Sequence, residues 1–207
     1  MNPANPERVT LAITGASGAQ YGLRLLECLV AAERSVFFLV SKAAKVVLAT
    51  EMDIELGDNP AEIEQYLTDR YRARPRQIRV FGEDDWMSPV ASGSGAPSSM
   101  VICPCSTGTL SAIACGLSNN LTQRAATVVL KERRQLIMVP REAPYSEIHL
   151  ENMLKLTRMG CVMIPASPGF YNRPETVDDM VDFIVARILD QLGITQELMP
   201  SWGRHCL

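Results

Sequence analysis

The chain has 207 residues, 47% hydrophobic and 21% charged, with a formal net charge of -3. A chain of this length buries roughly 70% of the surface its unfolded form exposes, so it needs no metal or disulfide staple, and its composition excludes wholesale disorder. With 20 basic and 23 acidic residues, it has neither the basic excess of a nucleic-acid binder nor an acidic solvating tail.

Residues 9–14 (VTLAIT) predict a buried strand, stopped by Gly15. Residues 18–32 carry Tyr21, Leu25, Leu26 and Leu29 at helical spacing. A second strand is expected at 35–40 (SVFFLV), a helix from there to about Thr50, a further helix at 60–71 and a strand at 77–81. Residues 82–99 (GEDDWMSPVASGSGAPSS) are the least regular stretch and read as a mobile active-site loop in preference to a linker. A strand follows at 100–103 (MVIC), ended by Pro104, then a small-residue helix at 107–115 and another helix at 121–133. The strand at 136–139 (LIMV) is closed by Pro140, the helix at 146–159 by Gly160, the strand at 161–164 by Pro165, and a last helix covers 176–192.

Short, apolar, unalternating strands that alternate with helices predict a parallel sheet covered on both faces. The fold class expected is therefore a three-layer, Rossmann-like (flavodoxin-like) α/β fold in a single domain spanning 1–207, with 1–7 and 203–207 as flexible tails. No internal repeat is present. No basic region followed by a long apolar core opens the chain, so no secretory signal is expected. No apolar run reaches the ~20 residues of a membrane span. The six cysteines, Cys28, Cys103, Cys105, Cys115, Cys161 and Cys206, form no CxxC pair, and there are two histidines, His149 and His205. A zinc site is not expected; buried thiols in a reducing cytoplasm are.

In such a fold, ligands sit beyond the carboxyl ends of the strands. The first strand ends in Gly15-Ala16-Ser17-Gly18, whose small residues admit a ligand to the backbone at a helix start. The second ends in Ser41-Lys42, the fourth in Cys103-Pro104-Cys105-Ser106-Thr107-Gly108-Thr109. The glycine-rich turns match neither GxGxxG nor a P-loop, yet two anion cradles in one sheet favour a phosphorylated ligand. The fifth ends in Arg141-Glu142 between two prolines, and the sixth in a turn carrying Phe170 and Tyr171. Arg124 and Lys131, seven apart, share a helix face, while Glu132, Arg133 and Arg134 read as solvated. Asp178-Asp179-Met180-Val181-Asp182 is a literal DDxxD, the magnesium motif of one class of prenyl-transferring enzymes, but Thr176 and Asp179 also form a capping box. Arg187 flanks the buried stripe of that helix.

These residues resemble the UbiX-type flavin prenyltransferases, relatives of the homo-oligomeric flavin-containing cysteine decarboxylases. TGASGAQYG at 14–22, VSK at 40–42, CPCSTGTLSAIA at 103–114, NNLTQRAA at 119–126, LKERR at 130–134, VPREAP at 139–144, IHLENMLKL at 148–156, PASPGFY at 165–171 and VDFIVARIL at 181–189 carry the likeness. Leu117-Ser118 departs from a more usual Ala-Cys pair. The resemblance implies a metal-independent transferase that joins a dimethylallyl group from dimethylallyl (mono)phosphate to reduced FMN. The product, prenylated FMN, serves a UbiD-type decarboxylase in ubiquinone biosynthesis or aromatic acid decarboxylation. It also implies a homo-oligomer, expected as a dodecamer, with sites shared between subunits.

Carried onto this chain, the resemblance assigns FMN to Gly15, Ala16, Ser17, Ser41, Ser106, Thr107, Gly108, Thr109 and Arg141. The substrate phosphate falls to Lys131, Arg124, Arg141, Tyr171 and Arg187, with Ser17 beside it. Glu142 becomes the acid/base group, and Lys131, Ser17 and Glu51 join the catalytic set, Glu51 on the resemblance alone. Clustered cations would stabilise the phosphate leaving an allylic carbon, Glu142 would move a proton, and an aromatic ring such as Trp202 would shield an allylic cation. The main alternative is an FMN-dependent decarboxylase of aromatic-acid or cysteine type, which lacks its expected base because no histidine precedes His149. A non-catalytic flavin carrier is a further alternative, and would have no use for Lys131, Glu142 and Arg187 together.

Overall fold

The computed structural model describes residues 8–200; the expected tails, and with them Trp202, His205 and Cys206, lie outside the described residues. Six parallel strands form one sheet: β1 (Arg8–Ile13), β2 (Ser35–Val40), β3 (Ile78–Phe81), β4 (Ser99–Cys105), β5 (Gln135–Pro140) and β6 (Val162–Met163). Their order is β3-β2-β1-β4-β5-β6. The chain winds outward from β1 to β3, returns to the middle and winds outward again from β4. The reversal between β1 and β4 opens a crevice at their carboxyl ends.

Helices α1 (Ala19–Ala31), α2 (Lys42–Met52), α3 (Pro60–Arg70) and α7 (Val177–Gln191) bury one face of the sheet. Helices α4 (Thr107–Ala114), α5 (Leu121–Lys131) and α6 (Glu147–Arg158) bury the other. Successive strand residues point to opposite faces. Leu11 and Ile13 thus enter the first core while Ala12 enters the second, and all three are fully buried. That is why the strands read as continuous apolar runs. Local chemistry starts the helices: Ser41, Asn59, Ser106, Asn120, Ser146 and Thr176 each accept a first-turn amide.

Three features depart from the sequence reading. The fourth strand continues through Pro104 to Cys105. Its pairing with β1 ends at Ala12–Ile102 and its register with β5 shifts between Ile102 and Cys105, so the missing proline N–H interrupts no regular ladder. The edge strand β6 has two residues, not four, both half-buried. Residues 82–99 are strapped down and not a free loop: a 3-10 turn at Pro89–Ala91 buries Val90 completely. Arg124 Nε donates to the Ala91 carbonyl at 3.0 Å, and Arg134 Nη2 to the Gly93 carbonyl at 2.8 Å. Arg134, expected on a solvated face, is thus half-buried and bonded to this segment.

Candidate functional site

Loops from four parallel strands meet at the crevice. Gly15 lies so close to α2 that a side chain there would collide with Ala43. Gly18 has φ 101°, a left-handed conformation that favours glycine, and gives α1 no side-chain cap. The cap comes from Glu51 in the last turn of α2, whose Oε2 accepts the Gly18 amide at 2.9 Å and the Ala19 amide at 3.2 Å. Burial pushes the Glu51 carboxyl up, but the Ser17 hydroxyl, these two amides and the Arg141 charge outweigh it and hold the carboxyl below its ordinary value.

Across the crevice, Ser106 caps α4. Its Oγ accepts the Thr109 amide at 3.3 Å and donates to Thr109 Oγ1 at 3.0 Å. Thr107 and Gly108 follow in the first turn, and beyond the backbone of α4 itself and the flanking residues nothing lies within 4 Å of where a Gly108 side chain would begin. Ser41 caps α2 through the Ala44 amide at 3.1 Å. Behind both loops, Thr14 joins β1 to β4, its hydroxyl donating to the Pro104 carbonyl at 2.9 Å and accepting the Ser106 amide at 2.8 Å.

The end of β5 adds the charged pair. The Arg141 amide meets the Cys105 carbonyl at 3.4 Å, and its buried Nε has no protein partner. The Glu142 carboxylate accepts the Thr107 hydroxyl at 3.5 Å and the Ala143 amide at 3.1 Å. Tyr145 stands close by: burial, then the Glu142 charge, raise its phenol pKa, and Arg141 opposes them. Gly15, Ala16, Ser17, Ser41, Glu51, Ser106, Thr107, Gly108, Thr109, Arg141 and Glu142 all sit on strand ends or helix starts of this one edge, except Glu51, which α2 returns to it. Thr14 and Tyr145 were not singled out from sequence; a hydroxyl directly before the Gly15 turn was the available signal for Thr14.

The remaining cations stand elsewhere. Lys131 closes α5 just before the amino end of β5 and pairs with Glu132, which was expected to be merely solvated. Arg187 lies one turn before the end of α7 and pairs with Asp190 at 2.8 Å. The Gln135 side chain, at the amino end of β5, donates to the Gln191 carbonyl at 2.7 Å, so α7 also ends at the amino edge of the sheet. Tyr171 stacks edge-on against Phe183 at 5.6 Å and shares with Arg187 a recess of about 200 Å3. Arg124 is held by Ala91. Among the described residues, no hydrogen bond or ion pair joins Lys131, Arg124 or Arg187 to the crevice residues.

The acidic run at the start of α7 divides its labour. Asp179 accepts the Thr176 amide at 2.8 Å in the expected capping box, and Asp182 takes both ends of the Arg24 guanidinium at 2.7 and 3.1 Å. Among the described residues, no group of three or more metal-ligating side chains is gathered, and no helix is long and apolar enough to cross a membrane. A cradle of small residues, two capped helix starts, an orphan guanidinium nitrogen and a carboxylate suit a flat phosphorylated ligand and proton transfer beside it.

Comparison with known proteins gives a consistent picture. The Flavoprotein family model matches residues 2–189. The flavin prenyltransferase UbiX of Pseudomonas aeruginosa is 63% identical over 204 residues, covering 99% of this chain and 98% of that protein. The crystal structure of AnUbiX (PadA1) in complex with FMN and dimethylallyl pyrophosphate superposes with TM-score 0.83 at 36% identity, over 94% of this chain and 96% of that one. The dodecameric FMN-dependent UbiX-like decarboxylase from Escherichia coli O157:H7 does so with TM-score 0.83 at 38% identity, over 94% and 98%.

Proposed function

The chain belongs to the Flavoprotein family and, within it, to the UbiX flavin prenyltransferases, and from that premise we propose that it transfers a dimethylallyl group from dimethylallyl phosphate to reduced FMN. The observation that carries this reading is the crevice at the β1–β4 reversal. Its residues fit FMN: the orphan Arg141 Nε offers a donor, and Gly108 leaves the start of α4 open to a ligand's approach. Gly15, Ala16, Ser17, Ser41, Ser106, Thr107, Gly108, Thr109 and Arg141 would hold the flavin nucleotide. When bound, reduced FMN supplies the carbon and nitrogen nucleophiles of the transfer.

The chain's own residues then have defined tasks. Helix starts and Arg141 hold negative charge at the carboxyl edge. Glu142, oriented by Thr107 and the Ala143 amide, moves a proton at its carboxylate oxygen. Glu51 holds Ser17 and the α1 amides in place. Lys131, Arg124, Tyr171 and Arg187 would bind the substrate phosphate and stabilise the charge that develops as it leaves. Because Lys131 stands at the amino edge of its own chain and Arg187 lies in a recess beside Tyr171 and not in the crevice, we assign them to the crevice of a neighbouring copy in a homo-oligomer. A dodecamer, the assembly named for the E. coli relative, is the state we expect.

We further propose that the product serves a UbiD-type decarboxylase, and that the chain works in a reducing, cytoplasmic setting, a point that the five described cysteines, all free thiols, support. The test is anaerobic incubation of the protein with reduced FMN and dimethylallyl monophosphate, followed by the mass of the extracted flavin. A gain of one five-carbon unit with phosphate release supports the reading. Unmodified FMN, tightly bound, would transfer it to a decarboxylase, to be checked by carbon dioxide release from aromatic acids.

A further inference from the structure

We propose that Thr14 is a positioning residue for the flavin cradle: its hydroxyl couples the loop after β1 to the start of α4 and sets the relative placement of the two. The inference rests on the reading that FMN binds in this crevice. Thr14 is 1% exposed. Regular β1–β4 pairing stops at Ala12–Ile102, and the register of β4 against β5 shifts just beyond. The cradle therefore starts where the sheet no longer fixes its two halves.

At that gap the backbone supplies one link, from the Thr14 amide to the Pro104 carbonyl at 3.2 Å. The Thr14 hydroxyl supplies two more, donating to the same carbonyl at 2.9 Å and accepting the Ser106 amide at 2.8 Å. Only a group that both donates and accepts can do this. The residue after Thr14 opens Gly15-Ala16-Ser17, and Ser106 is the cap of α4. One side chain thus ties both cradle loops together without itself reaching the crevice. Removing the hydroxyl leaves the Ser106 amide without its partner and frees the start of α4 to shift against Gly15–Ser17. Binding sites lose affinity when such parts drift by more than about 0.5 Å.

A packing role predicts the opposite ranking of variants, and that makes the inference testable. Thr14→Val keeps the shape and removes the hydroxyl; Thr14→Ser keeps the hydroxyl and removes the methyl; Thr14→Ala is a second hydroxyl-free variant. Full-length proteins are titrated with FMN by flavin fluorescence, and their folding is followed separately by circular dichroism. The expected result is Ser within about threefold of the unmodified chain, with Val and Ala weakened roughly tenfold or more. Val binding FMN like the unmodified chain overturns the proposal, as does Ser losing as much as Val. So does a failure of both hydroxyl-free variants to fold while Ser folds, since the hydroxyl then serves the fold alone. If the unmodified chain itself binds no FMN, the cofactor reading fails first, before any variant is compared.

Discussion

The Glu51 carboxylate caps a helix that is not its own: its Oε2 accepts the Gly18 amide of α1 at 2.9 Å from 33 residues away. Gly18 has no side chain with which to cap α1, and the end of α2 brings Glu51 to the exposed amides. A carboxylate at a helix start is favoured by the helix dipole, and here it also holds Ser17 and faces Arg141.

This relationship has a pH signature. The folded Glu51 carboxyl lies below its ordinary value of 4.5, so its contribution to stability is fully present above that pH. It disappears as pH falls through the lower folded value. Glu51→Gln should therefore melt below the unmodified chain at neutral pH, with the gap closing in acid. Melting curves between pH 7 and pH 3 check this; a gap that stays constant would remove the carboxylate charge from the account.

Two glycines separate folding from cofactor binding. A side chain at Gly22 would strike the Cys103 carbonyl and Ile13, where α1 lies against β4 and β1, so Gly22→Ala should lower stability by about 1–3 kcal/mol. Gly108 has open space around it, so Gly108→Ala should leave the melting temperature without FMN nearly unchanged and weaken FMN binding. Paired melting and FMN titration on both variants give the answer.

Glu142→Gln should retain FMN and slow product formation by roughly 10²–10⁴-fold, the usual range for a lost acid/base group. Its two hydrogen-bond contacts are to Thr107 and its neighbour Ala143, and an amide preserves its shape. Single-turnover formation of prenylated flavin measures the effect, and unchanged turnover would take Glu142 out of the chemistry.

The separation of Arg187 from the crevice predicts complementation. Glu142→Gln and Arg187→Ala should each be weakly active alone. Co-assembled at equal amounts, they should recover roughly a quarter of full activity, because that fraction of shared sites receives two intact contributions. Activity of the mixture equal to the mean of the two variants would place both residues in one chain's site.

The gathering of much of the candidate site at one edge was legible because strand ends in a parallel sheet lie together. The small residues at 15–18, the capped Ser106 turn and the Arg141-Glu142 pair all declare themselves locally. Residues 82–99 read as a mobile loop because their anchors, Arg124 on α5 and Arg134 in the turn beyond it, follow later in the chain. A composition of glycine, serine and proline carries no record of a distant guanidinium. Pro104 was read as a strand end for a similar reason: whether a missing N–H matters depends on the partner strand.

By itself the sequence determined which segments are strands and helices and which chemistry stands at each strand end. Side-chain periodicity, caps and turn residues act over a few neighbouring positions, and the sheet's two buried faces demand the apolar runs that mark it. Only the tertiary structure decided which of those groups meet. It sent Glu51 to the start of α1, Thr14 to both Pro104 and Ser106, Lys131 toward the far edge and Arg187 to a recess beside Tyr171. Strand order and helix packing, set by burial over the whole chain, control those encounters, and no local pattern encodes them.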